Sequence, residues 1–182
     1  MRRHRPEPLL SYVQSYFENY LRQVRGASPH TIRAYGNSLR LFFLYLANRT
    51  KSSITDLGLD DIKSEHVLAF LLHIESERAN EAATRNCRLA AIRGFVEHLL
   101  RHDITHADQY RRILAIPSKR SVRRPISYLE PEEVREIIHG IKEGRDHLRD
   151  RALILFLYNT GARISEALAV TSRDLHLDRP RP

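Results

Sequence analysis

With Cys87 as its only cysteine, the 182-residue chain can form no internal disulfide and no cysteine-based zinc cluster. Set in a helical pattern, Cys87 reads as a small buried apolar residue. Long hydrophobic runs are missing too. The longest, Leu41 to Ala47 and Ala152 to Tyr158, fall far short of the roughly 20 residues that a membrane-spanning helix needs. The start, Met1-Arg2-Arg3-His4-Arg5-Pro6-Glu7-Pro8, is basic but leads only to Leu9 and Leu10 before polar residues return, so it offers no apolar stretch for a secretion signal. A cytoplasmic location without a membrane partner is the expectation. There is no solenoid-type repeat. His102 and His106, with Asp103 and Asp108 nearby, have a spacing that could hold a metal, but no further ligand is evident, so they read as a solvated helix end and no metal is expected.

What the chain does have is apolar residues enough for packed cores, 42% of the total, and a formal charge of +8. That balance points to a polyanionic partner, most simply nucleic acid. The charge is unevenly spread. Residues 1 to 50 carry Arg2, Arg3, Arg5, Arg22, Arg25, Arg33, Arg40 and Arg49 against only Glu7 and Glu18, whereas residues 126 to 182 hold nine basic and ten acidic side chains. A protein that grips DNA needs its positive charge concentrated in this way, since each neutralised phosphate releases counterions. The alternative is a set of solvated helix faces joined by a basic spacer.

Apolar periodicity predicts four helices in the first hundred or so residues. The first, Pro8 to Arg25, carries Leu9, Tyr12, Val13, Tyr16, Phe17, Tyr20 and Leu21 at three- and four-residue spacings. This stripe reads as core, with base stacking as the alternative. The second opens at Ser28-Pro29, a capping serine and a proline at the first helical position, and runs through Tyr35, Leu39, Phe42, Phe43 and Leu46. Arg33, Asn37 and Arg40 fall together on another of its faces. The third runs from Ser64 to near Arg78. The fourth, capped by Asn80, continues through Leu89, Ile92, Phe95, Val96 and Leu99, with Thr84, Arg85 and Arg88 in polar first turns that extend beyond the buried stripe. Pro117 to Pro125 holds Lys119, Arg120, Arg123 and Arg124 and no acid, and reads as a linker. A further helix begins near Pro131, with Glu132 and Glu133 where the helix dipole favours them. The expected organisation is therefore a helical domain over 1–116, a basic linker over 117–125 and a second domain over 126–182.

Near the end lies Thr160-Gly161-Ala162-Arg163-Ile164-Ser165-Glu166-Ala167-Leu168. Leu148 through Tyr158 reads as an apolar helix with Tyr158 in its core; Gly161 can take the left-handed geometry that ends it, and Arg163 opens the next helix. Backbone N–H groups there suit a phosphate, and a guanidinium whose direction is fixed by Glu166 one turn on can bind it with two parallel hydrogen bonds. An ordinary surface ion pair is the alternative.

These segments, in this order and spacing, resemble the tyrosine recombinase (phage integrase-like) family over nearly the whole chain. Ser28-Pro29-His30-Thr31-Ile32-Arg33-Ala34-Tyr35 is similar to the second helix of the family's core-binding domain, and Ala83-Thr84-Arg85 through Phe95 to its fourth. Leu129 to Val134, Arg149 to Leu153 and Thr160 to Leu168 follow as at the start of its catalytic domain. The resemblance implies a mainly α chain: a four-helix, SAM-like core-binding bundle followed by the mostly helical start of an α+β catalytic domain, with the first edge of a strand at Asp174 to Leu177. It implies strand exchange on double-stranded DNA through a phosphotyrosyl intermediate that conserves the bond, hence no metal, ATP or other cofactor and no small-molecule substrate. By position, Arg163 matches the first catalytic arginine and Glu166 the acid that supports it.

The family's lysine, His-x-x-Arg pair and nucleophilic tyrosine have no counterpart among these residues. His30-Thr31-Ile32-Arg33 matches the pair by letters alone. The expectation is a truncated recombinase, inactive by itself and able at most to bind DNA through Arg33, Asn37, Arg40, Thr84, Arg85, Arg88, Lys119, Arg120, Arg123 and Arg124. A non-cutting DNA-binding module that occupies recombination sites or pairs with a full-length recombinase is the alternative that shares every residue seen, and self-association on DNA is a further partner expectation. A helical protein-interaction adaptor with an incidental basic surface is the third. The helical bundle should be the more stable half, because residues 126–182 would leave an apolar helix face without a partner.

Overall fold

A computed structural model describes residues 9–77, 80–121 and 127–175. Among these the chain is helical throughout and holds no strand. It divides into two compact units, residues 1–123 and 124–182.

In the first unit, α1 (Leu9–Ser15) runs directly into a π-helical segment, Tyr16–Val24. The wider turn is visible at Arg25, whose N–H reaches back five residues to the carbonyl of Tyr20. It changes which side chains face inward. Tyr16 and Leu21, five apart, are wholly buried, while Tyr12, Val13, Phe17 and Tyr20 are only partly covered, so the stripe expected at three- and four-residue spacings is core but on a longer repeat. Tyr16 packs edge-on against Phe95, and its hydroxyl lies where a side chain at Gly94 would stand.

α2 (Pro29–Thr50) starts as expected: Ser28 accepts the Thr31 N–H on its hydroxyl, and Pro29 occupies the first turn. It ends at Lys51, which takes a left-handed conformation. Leu39, Phe42, Phe43 and Leu46 form its buried face. Two short 3-10 turns, Ile54–Asp56 and Leu59–Asp61, lead to α3 (Ser64–Ser76). Arg78, expected near the end of α3, lies outside the described residues. α4 (Ala82–His102) is capped at Glu81 and not at Asn80; the Asn80 N–H instead donates to the carbonyl of Ile74 and closes the α3–α4 connection. A fifth helix, α5 (Ala107–Leu114), was not evident from periodicity, because in eight residues only Tyr110 and Ile113 are buried. α4 is central, packing against α2, α3, α5 and the π-helical segment.

Around the α4–α5 turn, the expectation of a solvated helix end holds for the exposed His102 and Asp108 and fails for Asp103 and His106. His106 bonds through Nδ1 to the Asp103 carboxylate at 2.6 Å and through Nε2 to Asp60 at 3.0 Å, while the buried Tyr110 hydroxyl donates to Asp103 at 2.8 Å. Cys87 is also corrected: it lies exposed on α4, since Leu89 and Ile92 fill the inward positions.

The second unit contains α6 (Pro131–Gly140), α7 (His147–Thr160), α8 (Ile164–Ala169) and a 3-10 turn at Ser172–Asp174. α6 begins with the expected proline, and the Glu133 carboxylate accepts the Glu130 N–H. Asp174 belongs to the 3-10 turn instead of a strand edge, its carboxylate accepting the Thr171 N–H; His176 and Leu177 lie outside the described residues. Among the described residues of this unit only Val134 is a buried apolar residue, and Leu148, Tyr158 and Leu168 are exposed. Tyr158 is thus surface, not core, because among the described residues no element of the unit covers that side of α7. No helix among the described residues is long and apolar enough to cross a membrane.

Candidate nucleic-acid interface

Packing of Leu39, Phe42, Phe43 and Leu46 against the core fixes the opposite face of α2 outward. Arg33, Asn37 and Arg40 are all exposed there and, among the described residues, bond to no other side chain. No acidic residue occurs between Pro29 and Thr50, so nothing on the helix neutralises the two guanidinium groups. Arg33 lines one shallow groove with Arg22, Gly26 and Pro29, which extends the basic surface to the end of the π-helical segment. Arg22 was missed by the pattern reading because a π-turn displaces it from the position that a regular α-helix would give it.

α4 divides its polar first turns between surface and interior. Thr84 is exposed and Arg88 half-buried. Arg85 is corrected: it is 4% exposed, not on the open face, and donates from Nη1 to the carbonyl of Pro117 at 3.0 Å and to Asn86 Oδ1 at 3.1 Å. The start of the basic stretch is held on the bundle by these bonds. Lys119 exchanges two hydrogen bonds with the Asn86 carboxamide and pairs with Glu75 through Nζ at 2.8 Å. Arg120 is exposed. Arg123 and Arg124 lie outside the described residues.

The turn after α7 has the local geometry its sequence suggests. Gly161 is left-handed at φ +64° and donates its N–H to the Leu157 carbonyl. Arg163 caps α8 from an extended conformation, its side chain 82% exposed, and its guanidinium meets Glu166 at 2.9 Å. Glu166 also accepts the Arg163 N–H at 2.8 Å, so one backbone donor at the helix start is already occupied by a carboxylate. That backbone bond, then the guanidinium, holds Glu166 below its ordinary range. Among the described residues the two side chains bond only within this pair. The arrangement leaves a directed guanidinium facing solvent, the geometry in which a phosphate can be gripped by two hydrogen bonds.

His98 is buried with neither ring nitrogen hydrogen-bonded, and burial, aided by His102 and Arg101, lowers its pKa to about 4. It is a neutral core residue. Among the described residues no group of three or more histidine, cysteine or acidic side chains is arranged to hold a metal ion.

Two family patterns match the chain: "Phage integrase, N-terminal SAM-like domain" over residues 14–103 and "Phage integrase family" over residues 127–181. A Sinorhizobium fredii protein named as an integrase/recombinase is 38% identical over 178 residues, covering 96% of this chain and 62% of its own length. A second protein so named in that organism is 32% identical, covering 92% and 51%. The tyrosine recombinase XerC of Caldanaerobacter subterraneus is 32% identical, covering 90% and 49%. The chain thus spans between half and about three-fifths of the length of these relatives. No solved structure matches.

Proposed function

Because the chain belongs to the tyrosine recombinase (phage integrase-like) family, comprising its N-terminal core-binding region and the beginning of its catalytic domain, we propose that it grips double-stranded DNA at a recombination site. In this reading residues 1–116 form the core-binding domain, 117–125 the basic connection and 126–182 the first part of the catalytic domain. The observation that carries it is the row of Arg33, Asn37 and Arg40 on an α2 face without acids and, among the described residues, without competing partners. Unpaired guanidinium groups on a rigid helix neutralise phosphates at little cost in side-chain desolvation, while Asn37 can read a base edge or sugar. Thr84 and Arg88 add donors from α4, and Arg120, with Arg123 and Arg124, follows the backbone.

Arg163 is proposed to bind the scissile phosphate and Glu166 to hold it in direction. Within residues 126–182 these two side chains contribute phosphate binding and orientation. Exposed Leu148, Tyr158 and Leu168 favour the chain's acting beside another recombinase copy on the same site. Neither metal nor ATP enters this reading.

A salt series of duplex-DNA binding tests it. Arg33→Ala/Arg40→Ala should weaken binding and reduce the slope of log Kd against log salt by about 1.8, that is about 0.9 for each phosphate no longer neutralised. An unchanged slope would remove α2 from the interface.

A further inference from the structure

Arg85 is the one buried arginine among the described residues; its Nε has no partner, so the bonds of its Nη1 must offset the cost of taking the guanidinium out of water. One partner lies on the chain leaving the bundle and the other on α4 itself. Nη1 reaches the carbonyl of Pro117 and the Oδ1 of Asn86. That same Oδ1 accepts the Lys119 N–H at 2.9 Å, while the Asn86 Nδ2 donates to the Lys119 carbonyl at 2.6 Å. Two donors converging on one oxygen fix which way round the carboxamide sits, leaving its NH2 for the carbonyl. The Arg93 guanidinium donates to the carbonyl of Ile116. The Lys119 ammonium then binds both oxygens of Glu75, at 2.8 and 2.9 Å. The carbonyls of Ile116, Pro117 and Lys119, all in irregular chain, are thereby satisfied by side chains of α4 and not by secondary structure.

We propose that Arg85 is a positioning residue: with Asn86 and Arg93 it latches Ile116 to Lys119 onto α4 and fixes the point, just before Arg120, from which the basic tract departs toward DNA. This rests on the DNA-binding reading above. A tract anchored at a set point loses less conformational freedom on reaching the phosphates than one that begins to move at the end of α5. Arg85 therefore strengthens binding without touching a phosphate, and Lys119, occupied by Glu75, serves the latch first.

The test uses Arg85→Gln and Asn86→Ala in the 182-residue chain, with Lys119 amide exchange followed by NMR beside a duplex-DNA salt series. Asn86→Ala removes no buried side chain, which guards against loss of the fold in the Arg85 variant. The latch predicts that Lys119 exchange accelerates by about tenfold or more in both variants, from loss of a hydrogen-bonded clasp. Kd should rise several-fold at every salt concentration with an unchanged slope. A slope reduced by about 0.9 in Arg85→Gln, with Lys119 exchange as in the wild type, would make Arg85 a phosphate ligand and overturn the proposal. Faster exchange with unaltered DNA affinity would overturn the positioning role. Absence of DNA binding by the wild type would instead sink the underlying reading, with exchange still reporting whether the latch exists.

Discussion

His106→Ala should destabilise the first unit most in mildly acidic solution and progressively less as pH rises. Burial opposes a charge on this imidazole, but its hydrogen bonds to Asp103 and Asp60 outweigh that effect and hold its pKa above the ordinary 6.5. The folded state thus binds the proton more tightly than the unfolded chain, so the contribution is fully present below about pH 6.5 and is lost as pH climbs through the raised value. Asp103 works in the other sense. Burial disfavours its charge, yet hydrogen bonds from Tyr110, His106 and the Thr105 N–H keep it below its ordinary 3.8, so its contribution is lost as pH falls through that depressed value. The bond to Asp103, a carboxylate with 10% of its side chain exposed, is worth about 1.5 to 3 kcal/mol when charged; that to Asp60, 90% exposed, about 0.2 to 1 kcal/mol. The variant should therefore lose about 2 to 4 kcal/mol at pH 6 and only about 1 kcal/mol at pH 9, where a neutral ring retains a single N–H donor. Urea titrations read at the amides of Ile62 and Tyr110, both in the first unit, measure this directly. Equal losses at pH 6 and pH 9 would refute the assignment of the charged histidine as the link between the 3-10 turn and the α4–α5 turn.

Gly94→Ala should cost about 1 to 3 kcal/mol by overpacking, since an added Cβ would stand 2.6 Å from the Tyr16 hydroxyl. Tyr16→Phe removes that buried, unpartnered hydroxyl, so a double-mutant cycle should show the loss shrinking in its presence; strict additivity would place the strain elsewhere. Cys87, exposed one turn from Thr84 and beside Arg88, should react with a thiol reagent in the native protein and be shielded by duplex DNA. Equal labelling rates with and without saturating DNA would put the first turns of α4 outside the interface.

The helical plan was legible because α2, α3 and α4 are long and each carries a regular apolar face, with Ser28-Pro29 marking one start unmistakably. α5 was not, since eight residues with two inward side chains leave little periodicity to detect. The π-helical segment was hidden for a different reason. Tyr12, Tyr16, Phe17, Tyr20 and Leu21 satisfy a three- or four-residue spacing on paper, and the wider turn shows only in the folded backbone, where the Arg25 N–H reaches the Tyr20 carbonyl and Tyr16 and Leu21, five apart, are the pair wholly buried. Cys87 and Tyr158 failed alike: apolar character says what can be buried, and only neighbouring elements decide what is.

The basic residues show where charge counting stops being informative. Arg33 and Arg85 look equivalent in sequence, each an arginine in the first turns of a helix. One stands on an open face with no acid along the helix; the other lies against Pro117, thirty-two positions away, and its guanidinium is bonded to that residue's carbonyl and to Asn86 Oδ1. A phosphate would have to displace those bonds to recruit Arg85, whereas it meets Arg33 with water alone to expel. Two residues that add the same unit to the net charge therefore belong on opposite sides of any account of DNA affinity: Arg33 in the salt-dependent term, Arg85 in the ordering of the chain that carries Arg120 to its target.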